Sequence, residues 1–211
     1  MHEANAETVL LAAAPPDGVP PDVAGALLWD TDPHIFGVLH GGDAALGHRH
    51  LGHQWLQPAG LFSHAHARAA MLGDRMVGLS LGFDAATMAA EAGRFVAAAQ
   101  AYLSEAEFGQ LASWFEHGPF VMPAVPDDTW YLQNLAVLPE GRGRGIGERL
   151  LTDCFEQARA AGHARVHLDL YDGNPAQRLY ERAGMQVIVE TRVPPLVARG
   201  VGLHLRMEIR L

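Results

Sequence analysis

The sequence predicts a mixed α/β or α+β fold, and three observations predict it. The second half alternates strand, helix, strand, helix, strand; a hairpin pattern precedes it; the last segment alternates apolar and polar residues. Pro15, Pro16, Pro20 and Pro21 make residues 15–21 a loop. Val23 to His53 reads as short helices, broken at Asp32-Pro33 and at Gly41-Gly42-Asp43. Ala67 to Leu72 and Met76 to Phe83 form two strands about a Gly73-Asp74 turn. Met88, Ala92, Phe95, Val96, Ala99 and Leu103 then recur at helical spacing. Ser104 to Glu107 is a capping-box pattern ahead of Phe108, Leu111 and Phe115. These are two helices, ended by Gly118-Pro119.

Trp130 to Val137 is a strand. The helix from Gly145 to Ala161 gathers Ile146, Leu150, Leu151, Cys154 and Ala158 on one face. Ala164 to Tyr171 is the next strand. Asn174 caps a helix that starts at Pro175, and Gly184 fits the position just past its end. Met185 to Arg192 and Val201 to Leu211 are the last strands. In the final one Val201, Leu203, Leu205, Met207, Ile209 and Leu211 take the buried face, and His204, Arg206, Glu208 and Arg210 the wet one.

Composition excludes several classes of function. The chain has 211 residues, a formal charge of −9 and one cysteine. That length suits one or two domains, and 49% hydrophobic residues suffice for a sizeable core. Cys154 alone allows no intrachain disulfide, so a reduced, cytoplasmic setting is expected. No apolar run approaches the ~18 residues of a membrane span. The start, Met1-His2-Glu3-Ala4, lacks the basic lead-in of a secretory signal. All fifteen basic residues are Arg. Without Lys there is no pyridoxal Schiff base and no Walker A loop. The acidic balance argues against broad nucleic-acid binding.

The charge is unevenly placed. Residues 84–140 hold eight acids and one Arg, whereas residues 142–182 hold seven Arg and six acids. That split suits an anionic ligand in the second segment beside a cationic one near the first. His48, His50, His53, His64 and His66 match no closed metal site, and a solvated helix or loop face is expected for them. Cys154, on the apolar helix face, reads as core.

The chemistry lies at Leu135-Ala136-Val137-Leu138-Pro139-Glu140-Gly141-Arg142-Gly143-Arg144-Gly145-Ile146-Gly147. A strand enters a glycine-rich turn that opens a helix. The first helical N–H groups lack internal partners and sit at the positive dipole end, so such a turn can cradle a diphosphate. Arg142 and Arg144 add positive charge there. The dinucleotide pattern G-x-G-x-x-G fails, because Ile146 or Glu148 falls where its last Gly belongs. The pattern R-x-x-G-x-G fits Arg142 to Gly147 in full.

With Asn174-Pro175-Ala176-Gln177-Arg178-Leu179-Tyr180-Glu181-Arg182-Ala183-Gly184-Met185 about 30 residues on, the chain resembles the GNAT superfamily of acyl-CoA-dependent N-acyltransferases. The resemblance is strongest from Trp130 to about Glu190. It implies a twisted, mostly antiparallel central sheet flanked by helices, with a helical insertion at about 84–120 between strands 3 and 4. It further implies one such domain over residues 1–211 and acetyl-CoA as cosubstrate. Leu135, Ala136 and Val137 would pair with the pantetheine arm. Arg142, Gly143, Arg144, Gly145, Ile146 and Gly147 would hold the diphosphate. Asn174 would touch the cofactor beyond the thioester, and Tyr180 would protonate the departing thiolate. The acceptor would be an amine, cationic if the acidic insert attracts it.

Some relatives carry an acid on the central strand as base; Tyr131, Gln133 and Asn134 stand there in this chain. Asp127, Asp128 or a histidine could replace it. Many relatives also place the Asn seven positions before the tyrosine, where Gly173 stands here. The alternative to an enzyme is an acyl-CoA-binding sensor or scaffold without turnover, and in either case a homodimer could form through the last strands.

Overall fold

The computed structural model describes residues 9–211; the leader reading at Met1 to Ala4 lies outside them. Its centre is a seven-stranded sheet. The strands are β1 (Val9–Ala13), β2 (Ala67–Leu72), β3 (Arg75–Asp84), β4 (Thr129–Val137), β5 (Arg165–Tyr171), β6 (Gln186–Thr191) and β7 (His204–Arg210). Their spatial order is β1-β2-β3-β4-β5-β7-β6, and only β4–β5 is parallel. The expected mixed, mostly antiparallel sheet is therefore present. The apolar run Val9–Ala13 is a strand because it pairs antiparallel with β2, Val9 opposite Leu72.

Nine helices occur among the described residues: α1 (Pro21–Trp29), α2 (Pro33–Leu39), α3 (Ala44–Trp55), α4 (Ala85–Tyr102), α5 (Glu105–Ala112), α6 (Gly118–Val121), α7 (Ile146–Ala160), α8 (Gln177–Arg182) and α9 (Pro194–Val197). Asp32 and Asp43 cap α2 and α3 by accepting backbone N–H groups. Ser104 and Glu107 complete the capping box of α5. Gly118-Pro119 does not end the helical segment. Pro119 occupies the first turn of α6, where its missing N–H costs nothing. The insertion between the third and fourth strands thus runs on to Val121. At the other end, Asn174 accepts from the Ala176 N–H within a lead-in turn, and regular helix starts only at Gln177.

Two sides of the sheet bury different sets. α7 lays Ile146, Leu150, Leu151, Cys154 and Ala158 against it, all buried. Burial pushes the Cys154 thiol up to about 12, in keeping with a core position. The other side is covered by α1 to α5, whose Leu28, Trp55, Phe95 and Leu111 pack with Leu79, Leu81 and Phe83 of β3. At one of the sheet's two edges β6 exposes Val187, Ile188 and Val189; a homodimer through the last strands would use this edge.

One of the five histidines departs from the expected solvated face, while His48, His53, His64 and His66 are half-buried. His50 is fully buried. His40 Nδ1 donates to the Phe36 carbonyl at 2.8 Å, so its Nε2 accepts from His50 Nδ1 at 2.9 Å. His50 Nε2 then accepts from Gln54 Nε2 at 3.0 Å. Both rings are neutral in this chain of bonds. Burial lowers both pKa values, His50 down to about 3. A folded value below the ordinary 6.5 means stability present above pH 6.5 and lost as pH falls towards 3. From pH 7.5 to 5 the loss from His50 alone is about 2 kcal/mol. Thermal melts should show this loss above the carboxylate range, and His50→Gln should flatten it. An equally steep profile in the variant would contradict the assignment.

Candidate functional site

The sheet opens at its centre. β4 pairs with β5 only through Thr129–Arg165, Trp130–Val166 and Tyr131–His167. Beyond Tyr131 the strands diverge, leaving one edge of β4 without a β5 partner. The β3–β4 register shifts between Leu81–Asn134 and Gly82–Leu132, so Gln133 is an extra bulge residue at the fork. Leu135, Ala136 and Val137 lie on the free stretch.

The chain leaves β4 through a 3₁₀ turn at Pro139–Gly141 and enters α7 through Gly143 (φ +73°) and Gly145 (φ +72°, the N-cap). Those backbone angles suit glycine. No side chain caps α7, so its first-turn amides remain available to a ligand. Gly147 is tight for space: a Cβ there would lie 3.2 Å from Leu179 Cδ2. Arg142 folds back so that its Nε donates to the Val137 carbonyl at 3.1 Å.

Fork, turn and α8 enclose one cavity of about 840 Å³. Leu135, Ala136, Val137, Arg142, Gly143, Gly145, Ile146, Gly147, Asn174 and Tyr180 all line it. Arg144 is exposed and stands outside the lining. Tyr180 is buried among Leu151, Cys154 and Leu168. Burial, with Cys154 alongside, pushes its phenol well above the ordinary range, so it keeps its proton at neutral pH.

The wall opposite the glycine turn corrects two sequence expectations. His204 and Arg206 of β7 are buried, 1% and 4% exposed, rather than wet. His204 Nε2 meets Asp32 Oδ2 at 2.8 Å. Arg206 donates to both Asp169 oxygens, at 2.9 and 2.6 Å, and the Tyr131 hydroxyl donates to Asp169 Oδ2 at 3.0 Å. Two charges survive burial because each is paired and hydrogen-bonded. The Asp32 carboxylate raises the His204 pKa against desolvation, the larger but opposing effect. Neither Asp127 nor Asp128 reaches the cavity: both are exposed, and Asp128 pairs with Arg165. The lining acids are instead Asp30, Asp32, Asp169 and Glu148. Asp30 to Asp32, the turn between α1 and α2, is pinned to β4 where Asn134 Nδ2 donates to Thr31 Oγ1 at 2.8 Å.

The insert also behaves differently from its charge. Its acids point elsewhere: Glu105 and Glu116 are exposed, and buried Glu91 bonds the Gly60 N–H and Arg94. What it turns to the cavity is Met88, Ala92, Phe95 and Val96 of α4, then Trp114, Phe115 and Met122. The helical apolar spacing of α4 was legible in the sequence; that part of the stripe faces a hollow was not. No group of three or more His, Cys, Asp or Glu among the described residues is placed to hold a metal, and no helix among them could cross a membrane.

A family model described as the acetyltransferase (GNAT) family matches residues 54–185. A Bacillus subtilis protein, provisionally named a ribosomal protein bS18-alanine N-acetyltransferase, is 38% identical over 63 residues. That stretch is 29% of this chain and 41% of the relative. The fold resembles an N-acetyltransferase from Staphylococcus aureus Mu50, with TM-score 0.70 and 15% identity over 95% of this chain and all of the other. It also resembles an acetyltransferase crystal structure, with TM-score 0.66 and 17% identity over 95% and 98% of the two chains.

Proposed function

Since the chain belongs to the GNAT acetyltransferase family, we propose that it moves an acetyl group from acetyl-CoA to a primary amine, acting as a single domain over residues 1–211. One observation carries this reading: the free edge of β4, the uncapped start of α7 and the Tyr180 phenol all open into one cavity. The pantetheine arm would lie along Leu135 to Val137 as a substitute strand. Its diphosphate would sit on the amides of Gly143 to Gly147, with Arg142 and Arg144 supplying positive charge. Arg142 would then release the Val137 carbonyl. Asn174, whose Nδ2 lies 3.5 Å from the Thr31 carbonyl, would meet the cofactor near the acceptor side.

The ammonium first loses one proton to water or to a lining carboxylate; the free amine lone pair then attacks the thioester carbonyl carbon and a tetrahedral oxyanion forms. A β4 amide at the fork donates to that oxygen; one such donor is typically worth roughly 3 kcal/mol. The carbon–sulfur bond then breaks, its electron pair stays on sulfur, and the thiolate takes the Tyr180 proton. The product nitrogen loses its extra proton to water or to a lining carboxylate, and water reprotonates Tyr180. Holding both reactants on one fork supplies the larger share of the rate.

The Bacillus subtilis relative's name points to a protein N-terminus as its acceptor; here the acceptor is an amine of either small-molecule or protein origin. Thiol release with acetyl-CoA across a panel of amines tests the reading. Amine-dependent thiol release is expected, with mass spectrometry showing the acetylated amine. Tight acetyl-CoA binding with no turnover of any amine would replace it with the sensor reading.

A further inference from the structure

We infer that the acceptor is a monoamine on an apolar carbon skeleton, with its nitrogen at the Asp30–Asp32 turn and its skeleton beneath the α4–α6 insert. This rests on the acyl-transfer reading and narrows its substrate. One apolar part of the lining is the cluster of Phe36, Met88, Phe95, Val96 and Trp114. No charged side chain of the insert joins it. The charged lining groups cluster instead at two places. Arg142 and Glu148 stand at the glycine turn and the start of α7, with Arg182 at the end of α8, and Asp30, Asp32, Asp169 and His204 stand by the α1–α2 turn.

At the second place the charges nearly cancel. Asp32 is paired with His204 and Asp169 with Arg206, which leaves Asp30 as the surplus. The turn is fastened to β4 beside the bulge at Gln133, whose Nε2 donates to the Leu61 carbonyl at 2.8 Å. A single amine at this turn therefore stands next to the fork, where the thioester would lie. A second charge, or several hydroxyls, would have to enter the apolar end without partners, which is unfavourable. Pockets of ~300–1,000 Å³ hold drug-sized ligands. The 840 Å³ here must take both the pantetheine end and the acceptor, which favours a small one.

The test compares kcat/KM for phenethylamine, hexylamine, putrescine, glucosamine and a hexapeptide beginning with alanine, at saturating acetyl-CoA. The two apolar monoamines should lead by about tenfold or more, since buried methylenes are favourable there and an unpaired charge or hydroxyl is not. Ala92→Trp, which fills the hollow, should raise the phenethylamine KM about tenfold and leave the acetyl-CoA KM unchanged. Val96→Asp should do the same through charge, so the idea remains testable if one variant misfolds. Phenethylamine should also raise the melting temperature of the unaltered chain and not that of the variants. A lead for putrescine, glucosamine or the peptide, or an unmoved phenethylamine KM in folded variants, would overturn the inference while turnover persists. Failure of the wider reading looks different: no amine in the panel would then be acetylated.

Discussion

Tyr180→Phe is expected to lower kcat about a hundredfold, the lower end of the ~10²–10⁴-fold range for general acids. It should leave the acetyl-CoA KM and the melting temperature nearly unchanged. The side chain is 7% exposed and packs in the cluster of Leu151, Cys154, Phe155 and Leu168, so Phe keeps the packing and removes only the hydroxyl. The effect should sit at the lower end because a thiolate leaves readily: a free thiol has a pKa near ~8.5. Burial holds the phenol above its ordinary range, so in the proposed mechanism it would give up its proton only as charge develops on sulfur. No alkaline loss of kcat from this group should appear below pH ~10. A variant as fast as the original would remove Tyr180 from the chemistry while leaving the cofactor site intact.

Gly145→Val should weaken acetyl-CoA binding by about ten- to a hundredfold. Space is not the reason, because a Cβ at Gly145 would meet nothing within 4 Å. The backbone is the reason: φ is +72°, the left-handed region, which costs an ordinary residue ~1–2 kcal/mol and a β-branched one more. A valine side chain at this position would either strain the turn or rotate the peptide and aim its amides elsewhere. Gly145→Asn separates the two causes, since Asn tolerates this region. Asn should bind acetyl-CoA close to normally where Val does not. Equal losses in both would point to side-chain bulk, and no loss in either would contradict the cradle.

Local chemistry made much of this molecule legible. The turn from Arg142 to Gly147 advertises itself through its glycines, two of which hold positive φ. Ser104 and Glu107 announce the start of α5 within four residues. The acceptor wall could not be read in the same way. His204 finds Asp32 across 172 positions of sequence. Alternation along β7 says which residues share a face, but not that the α1–α2 turn covers the second one. His50 was hidden for a related reason: on α3 it looks like one of several polar helix positions, and only its bond to His40 and the one it accepts from Gln54 let it be buried. The number of acids in the insert does not say which of its residues line the cavity. Charge counts carry no direction, and α4 points its apolar residues inwards.

In the proposed enzyme the amides of Gly143 to Gly147 would hold a diphosphate so that β4 could pair with the arm attached to it. Calorimetric titration with coenzyme A, and separately with pantetheine, tests it most directly. Saturable binding of one coenzyme A per chain is expected, with pantetheine at least about tenfold weaker. No saturation with coenzyme A, or equal affinity for pantetheine, would contradict it.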